Sequence, residues 1–217
     1  MWAVVPAKPL RTAKQRLAGV LTEEERRSLA RAMLSDVLRC LREVDAVEGI
    51  VVVSSDPEVA KLAAAHGTRI VADDNTGHTA AVDCGIRALR AEAVGAALVL
   101  SADVPGVASA EIERLLREHG RDAARGPAVT IVSDRRGDGT NAICCSPSDA
   151  IPFAFGLGSL QRHLDAARAS RVAVRVLDLP GIALDIDEPG DLETLLATDA
   201  PCATARFLRD TVRAGSA

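Results

Sequence analysis

The feature that most constrains this chain is a repeated change of hydrophobic period. Short apolar runs alternate with segments of helical spacing along nearly its whole length. The runs fall at Ala3–Pro6, Ile50–Ser54, Arg69–Ala72, Ala97–Ser101, Ala128–Ser133, Ala142–Ser146 and Val172–Leu177. Four are uninterrupted and rich in Val, Ile and Leu, the pattern of strands covered on both faces. Between them the spacing predicts amphipathic helices. The clearest opens at Thr22, whose hydroxyl can cap the Glu25 amide while Glu25 reaches back. Its apolar stripe is Leu29, Ala30, Met33, Leu34, Val37, Leu38 and Leu41. Others are expected from Thr79 to Ala91, after Ser109 with Glu111 in the first turn, from Ser159, with Pro189 in a first turn, and from Ala203 to about Ala214. This alternation predicts an α/β fold, Rossmann-like, with a mostly parallel central sheet and helices on both faces. No repeat or linker divides the 217 residues, so a single domain over 1–217 is expected.

Composition excludes several functions. Aromatic residues are only 2%, with no Tyr, too few for a platform that stacks nucleic-acid bases. A net charge of −4 argues against a general nucleic-acid or anionic-membrane partner. No apolar run reaches the roughly 18 residues of a membrane span. The chain opens directly on a strand, MWAVVP, without a basic leader, so a soluble, cytoplasmic protein is expected. The cysteines Cys40, Cys84, Cys144, Cys145 and Cys202 are odd in number and lack a C-x-x-C pair. They read as apolar packing residues, neither a disulfide framework nor a zinc site.

In open α/β sheets, ligands bind beyond the carboxyl ends of the strands. The first strand runs into Pro6-Ala7-Lys8-Pro9-Leu10-Arg11-Thr12-Ala13-Lys14-Gln15-Arg16, with four cations in nine residues from Lys8 onward. Other strands end in Ser54-Ser55-Asp56 and in Ser101-Ala102-Asp103-Val104-Pro105. Later, Ala183-Leu184-Asp185-Ile186-Asp187 alternates so that both carboxylates share a face. A basic loop opposite separate carboxylates suits a nucleoside triphosphate bound with magnesium: cations hold phosphates, and the metal takes one or two carboxylates. Lys8, Lys14 and Arg16 are the phosphate candidates, with Lys14 expected to face solvent. Asp103 with Asp185 or Asp187 are the metal candidates. A basic loop can also be merely solvated, and a strand-end Asp can merely cap a helix. Neither a P-loop nor a G-x-G-x-x-G pattern is present.

Two further stretches carry glycines where a ligand could approach backbone amides. Arg135-Arg136-Gly137-Asp138-Gly139-Thr140-Asn141 follows a strand, and Phe155-Gly156-Leu157-Gly158-Ser159 opens a helix bearing Arg162 and His163. They suit a phosphate or carboxylate of a second small substrate, or simply a hairpin and a helix cap. His66, His78 and His119 show no metal-ligand spacing with one another.

The run VVPAKPLRTAKQRLAGVLTEEERRSLARAMLSDVL, followed in order by SADVP, GDGTNAI, FGLGSLQRH and LDIDEPGDL, resembles the 2-phospho-L-lactate or phosphoenolpyruvate guanylyltransferases of deazaflavin coenzyme biosynthesis. The resemblance covers Trp2 to Leu196. It implies a nucleotidyltransferase of the nucleotide-diphospho-sugar transferase fold, joining GTP to a small phosphorylated acid and releasing diphosphate. By the same resemblance, Lys14 and Asp103 are catalytic, and Asp103, Asp185 and Asp187 bind Mg2+. Pro6, Ala7, Lys8, Lys14, Arg16, His78, Thr79, Ser101 and Asp103 would bind the nucleotide. Thr140, Asn141, Gly156, Ser159 and His163 would hold the acid, which is phospholactate, phosphoenolpyruvate or phosphoglycerate. Where the family has Gly-Leu-Asn-Ala-Ala, this chain reads Gly77-His78-Thr79-Ala80-Ala81, beside the nucleoside. Gln15 stands where Ser is expected, and Glu188-Pro189-Gly190-Asp191 replaces Thr-Pro-Glu-Asp. Partners are then small-molecule substrates alone, without nucleic acid or membrane. Edge strands and the last helix leave room for a homodimer.

Two other readings start from the same residues. One is the same fold using another triphosphate and another small acceptor. The other is a receiver-like regulatory module built on Asp56, Asp103 and a lysine, which would need about half this length and has no use for GDGTN or FGLGS.

Overall fold

The computed structural model describes the backbone of residues 1–74 and 76–215, and the side chains of all of these except 212–215. Seven strands form one sheet: β1 (Trp2–Pro6), β2 (Gly49–Val53), β3 (Arg69–Val71), β4 (Ala97–Leu100), β5 (Ala128–Ser133), β6 (Thr140–Ser146) and β7 (Ala173–Val176). Their order is β3-β2-β1-β4-β6-β5-β7. Every apolar run became a strand, with ends moved by no more than two residues. All pairings are parallel except those of β6, which runs against both β4 and β5. The reason is local. Only the turn 134–139 separates β5 from β6, tied by Asp138 N–H donating to Asp134 Oδ1 at 2.8 Å. A parallel return needs a crossover of a dozen or more residues.

The described helices are α1 (Glu23–Arg42), α2 (Pro57–Ala65), α3 (His78–Ala91), α4 (Ser109–Ala123), α5 (Ser159–Ala169), α6 (Pro180–Ala183), α7 (Pro189–Ala197) and α8 (Ala203–Gly215). α2 is absent from the sequence expectation because it buries only Val59 and Ala63, too few to set up a helical period. Its start is fixed by Asp56, which accepts from Glu58 N–H at 2.8 Å. α1 opens on the expected capping box, with Thr22 N–H donating to Glu25 Oε2 at 2.7 Å and Glu25 N–H to Thr22 Oγ1 at 3.3 Å.

Strand residues alternate between two apolar layers, as the period of two requires. Ala3, Val5, Ile50, Val52, Leu98, Leu100 and Cys144 join the layer under α1, α2, α4, α6, α7 and α8. Val4, Val51, Val53, Val99, Ile143 and Cys145 join the layer under α3 and α5. α3 lies so close to β1 and β2 that a Cβ on Gly85 would stand 2.6 Å from Val4 Cγ1 and 2.9 Å from Val53 Cγ2. Cys40, Cys144, Cys145 and Cys202 are buried and all five cysteines are free, as packing residues should be. Burial pushes the Cys145 thiol up to about 12. Among the described residues, no helix is long and apolar enough to cross a membrane.

Candidate active site

The chain crosses from one half of the sheet to the other between β1 and β4, so the crevice of an α/β sheet opens at their carboxyl ends. From β1 the basic loop winds through two 3₁₀ turns, Leu10–Thr12 and Gln15–Leu17, and is anchored by Leu10 N–H donating to Asp56 Oδ2 at 2.7 Å. Asp56 is thereby committed to two backbone amides, which removes the receiver-like reading. Between the turns Lys14 adopts φ +55°, a conformation uncommon for a residue with a Cβ. The bend sends its side chain inward. Lys14 Nζ lies 2.6 Å from Asp103 Oδ2 and 2.9 Å from Asp187 Oδ1, and its side chain is only 8% exposed. The expectation of a solvent-facing Lys14 is therefore corrected: two carboxylates from distant segments pull the ammonium into the crevice. Arg16 stays outside, 3.5 Å from the other Asp187 oxygen, and Lys8 is exposed in the cleft.

The electrostatics follow from this packing. Burial opposes the charge on Lys14, but Asp103 and Asp187 outweigh it and hold its pKa above the ordinary lysine value. Burial likewise works against the Asp103 carboxylate, and the Lys14 ammonium overcomes it to hold that carboxyl below its usual range. Asp185 has no such cation. Burial and then the Asp103 charge push it up to about 6.

Neighbouring elements fix these aspartates. Ile186 N–H donates to Asp103 O at 3.0 Å and stitches the late acidic segment to the end of β4. Asn141 on β6 donates its amide to Ile182 O at 3.0 Å, Ala183 O at 3.2 Å and Asp185 Oδ1 at 3.2 Å. Asn141 borders the cleft on its glycine-lined side, but its amide is spent on carrying Asp185 there. Asp191, not among the site residues expected from the sequence, accepts from Asp187 N–H at 3.0 Å and Glu188 N–H at 2.7 Å, and from Arg135 at 2.9 Å. The one signal for it is an acid three residues into a helix that begins with Pro189.

Three cavities meet along this crevice, and Lys8 and His78 border all of them. The first, about 370 Å³, is the cationic one, lined by Lys8, Lys14, Arg16, Ser101 and Asp103 together with Pro6 and Ala7. The third, about 560 Å³, is lined by Thr140, Asn141, Gly156, Ser159, Asp185 and Asp187. Thr79 instead accepts from Phe155 N–H at 3.0 Å and borders none of the three. His163 is corrected too. It is wholly buried behind the cleft, its Nδ1 3.0 Å from Thr140 Oγ1 and its Nε2 accepting from Ala154 N–H at 3.0 Å. Burial, helped by Arg162, brings its pKa down to about 4, so it is neutral near pH 7. Both residues support the FGLGS loop. Gly158, at φ +69°, caps α5 and donates to Asp138 Oδ2 at 2.9 Å.

Among the described residues, no three His, Cys, Asp or Glu side chains form a ready-made metal centre. The donors within reach of a cation are Asp103, Asp185 and Asp187, of which two now clasp Lys14.

This sheet, with an acid–lysine cluster at its crossing point and a cationic cavity beside it, has the fold seen in known nucleotidyltransferases. The same fold is found in a protein of Desulfovibrio desulfuricans described as a nucleotide-diphospho-sugar transferase, with TM-score 0.76, 16% identity, and coverage of 97% of this chain and 94% of that one. It recurs in a Methanothermobacter nucleotidyl transferase, with TM-score 0.60, 19% identity, and coverage of 96% and 97%. Within that class, the chain belongs to the CofC-like guanylyl transferase family, whose model matches residues 1–213. It is 39% identical over 198 residues to a phosphoenolpyruvate guanylyltransferase of Rubrobacter xylanophilus, covering 91% of this chain and 94% of that one. It is also 29% identical over 199 residues to a 3-phospho-D-glycerate guanylyltransferase of Colwellia psychrerythraea, with coverage of 91% and 92%.

Proposed function

We propose that this enzyme transfers the guanylyl group of GTP to the phosphate of a small phosphorylated carboxylic acid, with phosphoenolpyruvate the first candidate. 2-Phospho-L-lactate and 3-phospho-D-glycerate are the others. The observation that carries the reading is the Lys14 ammonium held by Asp103 and Asp187 beside the cationic cavity, with Asp187 also bordering the glycine-lined one. The names of the relatives support guanine as the base and phosphoenolpyruvate as the leading acceptor.

In this mechanism Lys8, Lys14 and Arg16 bind the triphosphate, and the backbone around Thr140, Gly156 and Ser159 orients the acid. An oxygen of the acceptor phosphate attacks the α-phosphorus of GTP. The bond between the α- and β-phosphates breaks, and diphosphate leaves with the electron pair. A phosphate is already ionised near neutral pH, so no protein base is needed. Lys14 stabilises the charge that grows on the transferring group, and fixed alignment supplies much of the rate.

The aspartate set fits a magnesium ion brought with the triphosphate. Asp185 is half-buried and is held beside Asp103 by the Asn141 and Ile186 hydrogen bonds with no cation of its own, and magnesium takes one or two carboxylates and fills its remaining positions with phosphate oxygens and water. Asp103, Asp185 and Asp187 would hold it, and there it would neutralise phosphoryl charge.

The test is diphosphate release with magnesium, crossing four nucleoside triphosphates against the three acids. Release that requires GTP and one acid is expected. Release with a different triphosphate would overturn guanylyl transfer, and none in any pairing would overturn the reading as a whole.

A further inference from the structure

The second of the three cavities has no part in the mechanism above. It measures about 270 Å³ and is lined by Pro6, Ala7, Lys8, Pro9, Thr12, Asp73, Gly77, His78 and Ala81. That is slightly below the roughly 300–1,000 Å³ of sites that take whole drug-sized ligands, and it suits one planar ring system. Its walls are mainly small and apolar: two prolines and two alanines from the basic loop and α3. Lys8 and Thr12 also border the cationic cavity, so a ligand with its phosphates there can extend directly into this one.

Among the described lining residues, Asp73 is the only acid. It follows β3 and is half-buried. The hydroxyl of Ser55, at the end of β2, donates to Asp73 Oδ1 at 3.0 Å and also to the Asp73 carbonyl oxygen. These bonds fix the carboxylate and leave Oδ2 without a hydrogen bond to the described residues.

We infer that this cavity is the guanine subsite and that Asp73 is the residue that reads the base. The inference rests on the guanylyl-transfer reading and deepens it. A carboxylate is an acceptor-only group with two parallel oxygens. Guanine offers a matching pair of donors on one edge, its ring N1–H and exocyclic N2–H. Adenine offers an acceptor at N1 and no group at C2, and cytosine and uracil also lack this donor pair. A site that hydrogen-bonds a substrate N–H rejects analogues lacking it far more strongly than an apolar wall rejects an extra group. Ser55 is then a positioning residue, acting through Asp73 and not on the base.

The chemistry predicts a specificity reversal. In xanthine the exocyclic amine is replaced by a carbonyl, which a carboxylate repels and to which an amide N–H donates. Asp73→Asn is therefore expected to lower kcat/KM for GTP on the order of 10²-fold and to make XTP the better substrate. Inosine triphosphate, which lacks only the exocyclic amine, is expected to fall at least about tenfold below GTP in the parent enzyme, a single lost hydrogen bond to a charged group. Both triphosphates are also titrated calorimetrically against parent and variant without any acid, so base recognition is read independently of the acceptor. A reversed GTP-to-XTP ratio supports the inference, and a gain toward XTP cannot come from misfolding. Asp73→Asn keeping its GTP preference within about threefold, or losing both triphosphates in equal proportion, overturns it. If the parent binds GTP over XTP and the variant reverses this, but neither releases diphosphate with any acid, the guanine subsite stands and the proposed reaction falls.

Discussion

Lys14 shows how much one residue's setting depends on partners far away in sequence. A lysine in a basic loop reads as a solvated cation, yet here its ammonium touches Asp103 and Asp187. Removing one partner of a buried pair costs about 3–5 kcal/mol, and Asp187 is 42% exposed, so Lys14→Ala is expected to lower stability by roughly 2–3 kcal/mol. Urea unfolding checks this; a change under about 0.5 kcal/mol would mean that the pair is solvated. The same substitution should remove turnover. Asp103→Asn keeps the shape of the side chain but loses its charge. It is expected to cut diphosphate release by at least about 10³-fold while melting as a folded protein, and activity within a few-fold of the parent would deny Asp103 its role in catalysis. The cations and aspartates of the site could be picked out from the sequence because charge collected at strand ends. That Lys14 is buried could not, because Asp187 lies 173 residues away.

Elements act here as carriers and clamps. The 134–139 turn makes β6 antiparallel, which puts Thr140 and Asn141 at the edge where β1 and β4 end. A hairpin is one of the two sequence readings of 135–141, and so short a gap between apolar runs leaves no room for a parallel crossover. α3 carries His78 into the crevice only because Gly85 lets it lie on β1 and β2. Gly85→Ala should force those elements apart and cost about 1–3 kcal/mol, the usual penalty of overpacking. A thermal melt unchanged within a degree would contradict that close approach. α8 is held by Asp36 of α1, which accepts from Ala203 N–H at 2.9 Å, Thr204 N–H at 2.8 Å and Thr204 Oγ1 at 2.7 Å. Asp36 reads as an ordinary helix-surface acid, and nothing nearby in sequence reveals that it caps a helix 167 residues later.

At the scale of the whole molecule, the four histidines make stability sensitive to acid. Burial lowers the pKa values of His66, His78, His119 and His163, the last to about 4. Below about pH 6.5 the unfolded chain takes up protons that the native histidines refuse, so their contribution to stability falls as pH drops toward about 4, while Asp185, pushed up to about 6, takes up its proton in the native state over the same range and offsets part of that loss. His163 alone should cost roughly 2 kcal/mol between pH 7 and pH 5. Urea midpoints at the two pH values test this, and His163→Gln should flatten the difference; an unchanged slope would mean that His163 titrates freely. Local chemistry in the sequence determined the seven strands, most of the helices and the residue types of the site, because period, capping and strand-end charge act over a few residues. The tertiary structure decided what those residues do. It turned Lys14 inward, set His163 and Thr79 behind the FGLGS loop, and enclosed Asp73 with the basic loop. Burial and pairing between segments far apart in the chain are properties of packing, and no local pattern encodes them.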